Sequence, residues 1–355
     1  MPKIKTMDIK SLLENIIQRQ ASDLHLIAGY PPTMRLNGEL MPLDSNPLSK
    51  EELETGLFFL LTNEEKELII NNREIDFSYA LRDARFRVNY YYQKGSLAAA
   101  FRLIPPEIKS LEDLRLPRIC ETLTKLKQGL VLVTGPTGHG KSTTLAAMIN
   151  TINLDRPEII ITIEDPIEFV YPVGRSLVSQ RELHIDTHSM PNSLKAILRE
   201  DPNVVLIGEM RDYETISAAI TIAETGHLVF ATLHTNSASQ TVDRIIDVFP
   251  EEQQAQVRSQ LSVSLEAILS QRLMPDVNGG RIAAMEVMVA TPAVRNLIRE
   301  NKTFQIDNVI QTSGELGMIS MDAALAQLIK MGKITSETGQ LYAVHPEEVK
   351  RLSRK

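Results

Sequence analysis

Cysteine is nearly absent: Cys120 stands alone in 355 residues, so there is no internal disulfide and no cysteine-rich zinc module, and a reducing compartment suits the chain. Cys120 itself reads as a buried apolar residue. Positive charge is also short, with 38 Lys and Arg against 45 Asp and Glu for a net charge of −7 and a pI near 5.6. The general attraction to phosphate backbones on which nucleic-acid motors depend is therefore missing, and no nucleic-acid partner is expected. No apolar run reaches membrane-spanning length, and the opening MPKIKTMDIKSLLENIIQ interleaves charges where a secretion signal has a continuous apolar core. Internal repeats and low-complexity tracts are missing too. What remains is the composition of a folded cytoplasmic enzyme, 43% hydrophobic and 23% charged, in a chain longer than one core usually organises, which points to two domains.

Patterning divides the chain near its first third. From Asp8 to Gln20, Ile9, Leu12, Leu13, Ile16 and Ile17 recur at helical spacing and predict an amphipathic helix. TMRL and ELMPL flank Asn37-Gly38, a dipeptide suited to the positive φ angles of a hairpin turn. Ser49 with Glu52 and Thr62 with Glu65 each match a capping box, so helices start at both. FSYAL, RFRVNYYYQ and SLAAAFRLI are rich in aromatic and β-branched residues and read as strands. Residues 1–110 thus form a small α+β domain. Pro105, Pro106 and Pro117 bracket IKSLEDLRL, where a linker is placed at 111–118. In 119–355 the apolar runs LVLVT, EIIITIE, NVVLIGE and HLVFATL alternate with helical or turn segments, the pattern of an α/β domain with a parallel sheet covered on both faces. Val257, Leu261, Leu265, Ile268 and Leu273 then predict one long helix ending at Pro275, followed by a helical bundle.

Between the strand LVLVT and the helical STTLAAMIN lie Gly135, Pro136, Thr137, Gly138, His139, Gly140, Lys141 and Ser142, followed by Thr143, which satisfy G-x-x-x-x-G-K-S in its proper strand–loop–helix setting. The glycines allow backbone N–H groups to wrap the phosphates of a nucleotide, Lys141 brings charge to the terminal phosphates, and Ser142 offers a hydroxyl to Mg²⁺. His139 is bulky where a small residue is more usual, and it is expected to face solvent. A phosphate loop needs an acid at a neighbouring strand end to hold magnesium, and Glu209, after NVVLI-Gly208, is the candidate. Glu164 ends EIIITI where ligands of open α/β sheets collect, and it is read as the residue that orients the attacking water. Asp165 and Glu168 read equally well as acids of this functional kind or as helix caps and solvent-facing side chains.

His227 and His234 bracket the strand LVFATL, where they would sense the terminal phosphate or a neighbouring subunit, with a structural role for His234 as an alternative. Their spacing puts them on opposite strand faces, which excludes a metal pair. In RFRVNYYYQ, Arg85 and Arg87 share one face and Phe86, Val88 and Tyr90 the other. If Lys94-Gly95 makes a two-residue turn, Arg87 lies opposite Arg102, and such a like-charged pair calls for an anion, a phosphate from another subunit being one.

Taken together the residues resemble the secretion and pilus ATPases, and within them the pilus-retraction branch, nearly end to end. The shared blocks are ASDLHL at 21–26, RFRVN at 85–89, the phosphate loop, ITIEDPIEF at 161–169, QREL at 180–183, LREDPNVVLIGEMRD at 198–212 and ETGHLVFATLHT at 224–235. AVRNLIRE at 293–300 looks like the C-terminal signature of the retraction branch, with valine in place of the usual isoleucine. The resemblance implies a PAS-like N-terminal domain, a RecA-like core and a homohexamer with ATP and Mg²⁺ at subunit interfaces. It further implies pilus retraction driven through an inner-membrane platform protein at the cytoplasmic face. By the same resemblance Glu164 is general base, Glu209 the Walker B acid, His227 and His234 the histidine box, and Arg87 and Arg102 reach phosphates from the N-terminal domain. His139 and VYPVGRSLVSQ depart from the family pattern. Assembly and secretion ATPases usually add an N-terminal domain and a tetracysteine zinc module, which a single cysteine does not permit; an accessory retraction paralogue stays open. In AVRNLIRE the polar Arg295, Asn296, Arg299 and Glu300 are expected to be free for coupling to the platform.

Overall fold

The structure, a computed structural model, describes residues 7–36, 38–82, 84–104 and 107–354. Asn37 of the expected hairpin turn, Pro105 and Pro106 at the opening of the linker, and residues 1–6 of the opening stretch lie outside the described residues. The chain divides into two units, Met1–Glu107 with Pro166–Val170, and Ile108–Asp165 with Tyr171–Lys355.

The first unit is built on an antiparallel sheet of β1 (Asp23–Leu26), β2 (Thr33–Leu36), β3 (Glu39–Pro42), β4 (Glu74–Leu81), β5 (Ala84–Gln93) and β6 (Ser96–Ile104), in the order β3-β2-β1-β6-β5-β4. Patterning did not single out β1 as a strand. The helix Ile9–Arg19 starts at Asp8, whose carboxylate accepts from the Ser11 N–H, and it buries Ile9, Leu13 and Ile16. Both capping boxes form, and they open the helices Lys50–Leu60 and Asn63–Asn72. Phe86, Val88 and Tyr90 alternate into the core with Leu24, Leu26 and Phe101, leaving Arg85 and Arg87 on the other face.

The second unit holds β7 (Gly129–Thr134), β8 (Ile159–Glu164), β9 (Leu177–Glu182), β10 (Val204–Ile207), β11 (Leu228–Leu233), β12 (Leu265–Pro275) and β13 (Arg281–Val289), in the order β13-β12-β7-β11-β10-β8-β9. All neighbours run parallel except β12 and β13. β7 lies between β12 and β11, and β8, next in the chain, lies beyond β11 and β10, so the carboxyl ends of these parallel strands share one edge of the sheet. Cys120 is fully buried beside Met285, and burial pushes its thiol up to about 12.

The long helix expected up to Pro275 is not formed. A helix runs from Glu251 to Ser264, Leu265 turns to extended backbone (φ −67°, ψ 131°), and the rest is β12, paired on both sides. A strand buried on both faces carries apolar residues without strict alternation, so periodicity alone does not separate it from a helix. β13, reached through Gly279 and Gly280, was missed with it. The helices that follow pack Met321, Leu325 and Val349 against Met274, Ile282 and Ile334 in a second, smaller core.

Candidate nucleotide site

The phosphate loop leaves the end of β7 and enters the helix Lys141–Asp155 at Gly140. Gly135 has φ 139°, and a Cβ there would lie 2.3 Å from the Gln271 carbonyl oxygen, so only glycine fits. Lys141 is buried and points back into the loop, donating to the carbonyls of Gly135 at 2.8 Å and Pro136 at 3.1 Å. Ser142 and Thr143 occupy the first helical turn, where N–H groups and the helix dipole favour an anion.

His234, just past β11, joins this loop to the acid at the next strand end. Its Nδ1 lies 3.2 Å from Lys141 Nζ and 3.4 Å from Thr137 Oγ1, and its Nε2 lies 3.0 Å from Glu209. An ammonium group only donates, so Nδ1 accepts with its lone pair and the Nε2 N–H donates to the carboxylate. Glu209 also takes Arg211 at 2.8 Å. Burial pushes its carboxyl up, but Arg211 and His234 outweigh this and hold it below the usual carboxylate range. Arg211 further approaches Asp165 at 3.9 Å.

Glu164, at the end of β8, is 7% exposed and accepts from Thr162 at 2.7 Å and Gln180 at 3.2 Å. The ends of β8 and β10 approach closely: a Cβ on Gly208 would sit 3.2 Å from the Glu164 Cα, so Glu164 and Glu209 stand at adjoining strand ends. Lys141, His234, Glu209, Glu164 and Ser142 are thus gathered at one edge of the sheet. His227 is not among them. It precedes β11, at the opposite end of that strand, with its Nδ1 near Thr225 Oγ1 and the Ile222 carbonyl. Glu168 falls in the segment 166–170.

His139 does not face solvent as expected. Its Nδ1 accepts from the Leu273 N–H at 3.1 Å and its carbonyl from Gln271 Nε2 at 2.8 Å. Gln271, 2% exposed, also accepts from Thr144 at 2.7 Å and so holds both the loop and its helix. Sequence reading missed it because β12 was taken for helix; a lone amide inside an apolar run was the available signal. Arg211 and Gln180 were missed as well, although both lie in quoted blocks.

In the first unit Lys94 (φ 48°) and Gly95 (φ 69°) make the two-residue turn, and Arg87 lies directly across from Arg102. Arg102 Nε pairs with the buried Asp23 at 2.9 Å. A protein carboxylate therefore supplies an anion for this member of the pair. Arg87 forms no ion pair among the described residues.

A central phosphate loop on a parallel sheet, with acids at the neighbouring strand ends, defines a P-loop nucleoside triphosphatase with a RecA-like core. The chain belongs to the type II/IV secretion system protein family, which matches residues 109–333. It is 46% identical over 96% of its length, and 99% of the relative's, to the "Type IV pilus retractation ATPase PilT" of Pseudomonas aeruginosa. To a "Twitching motility protein" of Neisseria gonorrhoeae it is 48% identical over 96% of this chain and 92% of that one. The crystal structure of the pilus retraction motor PilT with bound ADP superposes with a TM-score of 0.90 at 45% identity, covering 97% of this chain and 99% of that chain.

Proposed function

We propose that this chain is a Mg²⁺-dependent ATPase that drives type IV pilus retraction, working as a homohexamer against an inner-membrane platform protein at the cytoplasmic face. The observation that carries the ATPase reading is the run Lys141–His234–Glu209, which ties the phosphate cradle to an ionised acid on the adjoining strand ends. The retraction reading is supported by likeness to the retraction motor over nearly the full length of both chains. Among the described residues no helix is long and apolar enough to cross a membrane.

The donor set fits magnesium. Glu209 is held ionised, the Ser142 hydroxyl makes no hydrogen bond among the described residues, and Mg²⁺ takes one or two such oxygens plus phosphates rather than a protein cage. Among the described residues no cluster of three or more His, Cys, Asp or Glu forms such a cage. Ser142 and Glu209 would hold the ion, which when bound neutralises charge on the phosphate oxygens. Lys141, released from the Gly135 and Pro136 carbonyls, places its charge on the terminal phosphates. Glu164 accepts the proton of the attacking water as the bond between the γ-phosphorus and ADP breaks, giving ADP and phosphate. Thr162 and Gln180 fix the carboxylate for that transfer.

Steady-state ATPase assays with and without Mg²⁺ test the first part: the natural chain should turn over only with the ion, and Lys141→Ala should not. Deleting the gene in a piliated host tests the second. Cells that stay piliated and lose twitching support retraction; cells that lose their pili point to assembly instead.

A further inference from the structure

The phosphate loop carries one oddity, His139, and its surroundings give it a use. β7 ends at Thr134, opposite Ser270, whereas β12 runs on to Pro275. Past Ser270 the β12 backbone has lost its strand neighbour on that side, and an amide there needs another acceptor. His139 supplies it: Nδ1 accepts from the Leu273 N–H, and its carbonyl accepts from the Gln271 amide. Burial, with Lys141 from the same loop, Arg272 from β12 and Arg281 from β13, pushes the imidazole down from its usual value, which keeps it neutral and Nδ1 open as an acceptor.

The other side of the ring meets the C-terminal helices. It lies against Tyr342 with centroids 6.5 Å apart at 52°, within the range of a favourable aromatic pair. Tyr342 ends the helix Ser336–Leu341, and its carbonyl accepts from the guanidinium of Arg272, the residue between Gln271 and Leu273 on β12. Tyr342 also packs on the small core of Met274, Ile282 and Val349. Phosphate loop, β12 and C-terminal helices therefore converge on one side chain.

We propose that His139 is a positioning residue for this loop, and that through Tyr342 it transmits nucleotide occupancy to the C-terminal helices. The proposal rests on the reading of Gly135–Ser142 as the nucleotide site. Occupancy must redirect Lys141, which now donates to loop carbonyls, and the shift of the loop reaches Tyr342 through the imidazole.

The chain contains no tryptophan, so Tyr342→Trp introduces a single indole reporter. ADP with Mg²⁺ should change its emission saturably. His139→Ala in that background should weaken ADP binding, measured by calorimetry, by about threefold to tenfold, the range of a lost hydrogen bond, and abolish most of the emission change at saturation. His139→Asn keeps an acceptor at similar reach, and should recover affinity relative to His139→Ala without recovering the emission change. An emission response that survives His139→Ala overturns the transmission, and unaltered affinity in His139→Ala overturns the positioning. If the natural chain binds no ADP, it is the site reading that falls. Should Tyr342→Trp not fold, a double-mutant cycle of His139→Ala and Tyr342→Leu in ADP affinity replaces it: effects that multiply independently reject the coupling.

Discussion

Glu164 and Glu209 are both carboxylates at strand ends, but their surroundings divide the work between them. Glu164 is buried and accepts from Thr162 and Gln180, whereas Glu209 is ion-paired to Arg211 and receives the His234 N–H. Cations commit Glu209 to its ionised form, which leaves Glu164 as the proposed base. Glu164→Gln is therefore expected to bind ADP as the natural chain does and to lose about two to four orders of magnitude in turnover, the usual contribution of a general base; equal turnover in single-cycle kinetics would remove that role. Glu209 is more acidic in the fold than in an unfolded chain. Its ionised form thus adds stability above the ordinary carboxylate pKa, and this is lost as pH falls through the lowered folded value. Glu209→Gln should accordingly melt below the natural chain near pH ~7, with the gap closing toward pH ~3. A gap that stays constant across that range contradicts the assignment.

The helix Pro292–Arg299 carries the AVRNLIRE block, and its polar face is not as free as the sequence suggests. Val294 and Ile298 are buried as helical spacing predicts, and Thr291 caps the start. Arg295, expected on a free polar face, instead donates to the Ser262 carbonyl at 2.9 Å and the Val263 carbonyl at 2.6 Å, and pairs with Glu266 at 2.9 Å. It closes the end of the helix Glu251–Ser264 where the chain turns into β12, satisfying carbonyls that such an end leaves open. Arg295→Ala should cost about 1–3 kcal/mol in denaturant unfolding. Arg299 is exposed and, among the described residues, hydrogen-bonds Asn296 at 3.4 Å. Arg299→Ala therefore tests platform coupling more cleanly: stability and ATPase unchanged, twitching lost. Normal twitching would leave this face without a role in coupling. At this scale capping boxes and the Lys94-Gly95 hairpin were legible because each depends on residues close in sequence. β12 was not, because its identity depends on β7 and β13.

Assembly is the remaining question for the whole molecule. Asp23 lies across from both Arg35 and Arg102 in the sheet, so Arg102→Ala disturbs a buried carboxylate as well as any contact with a nucleotide. Arg87 carries no such duty among the described residues, and Arg87→Ala should lower turnover without lowering the melting temperature. Mixed with Glu164→Gln subunits it should regain part of the activity if sites are shared between chains, since some interfaces then combine an intact Arg87 with an intact Glu164. Mixtures no more active than the sum of their parts would confine both residues to one subunit.

By itself the sequence determined the phosphate loop, the strands that carry Glu164 and Glu209, the turn that sets Arg87 against Arg102, and the family. Each follows from short-range spacing, or from blocks that stay contiguous along the chain. Only the tertiary structure decided that His234 links Lys141 to Glu209, that Gln271 clamps the loop, that Asp23 neutralises Arg102, and that His139 faces β12 and Tyr342 instead of solvent. Those pairings join residues from 25 to 203 positions apart, where chain separation carries no distance information until the sheet is assembled.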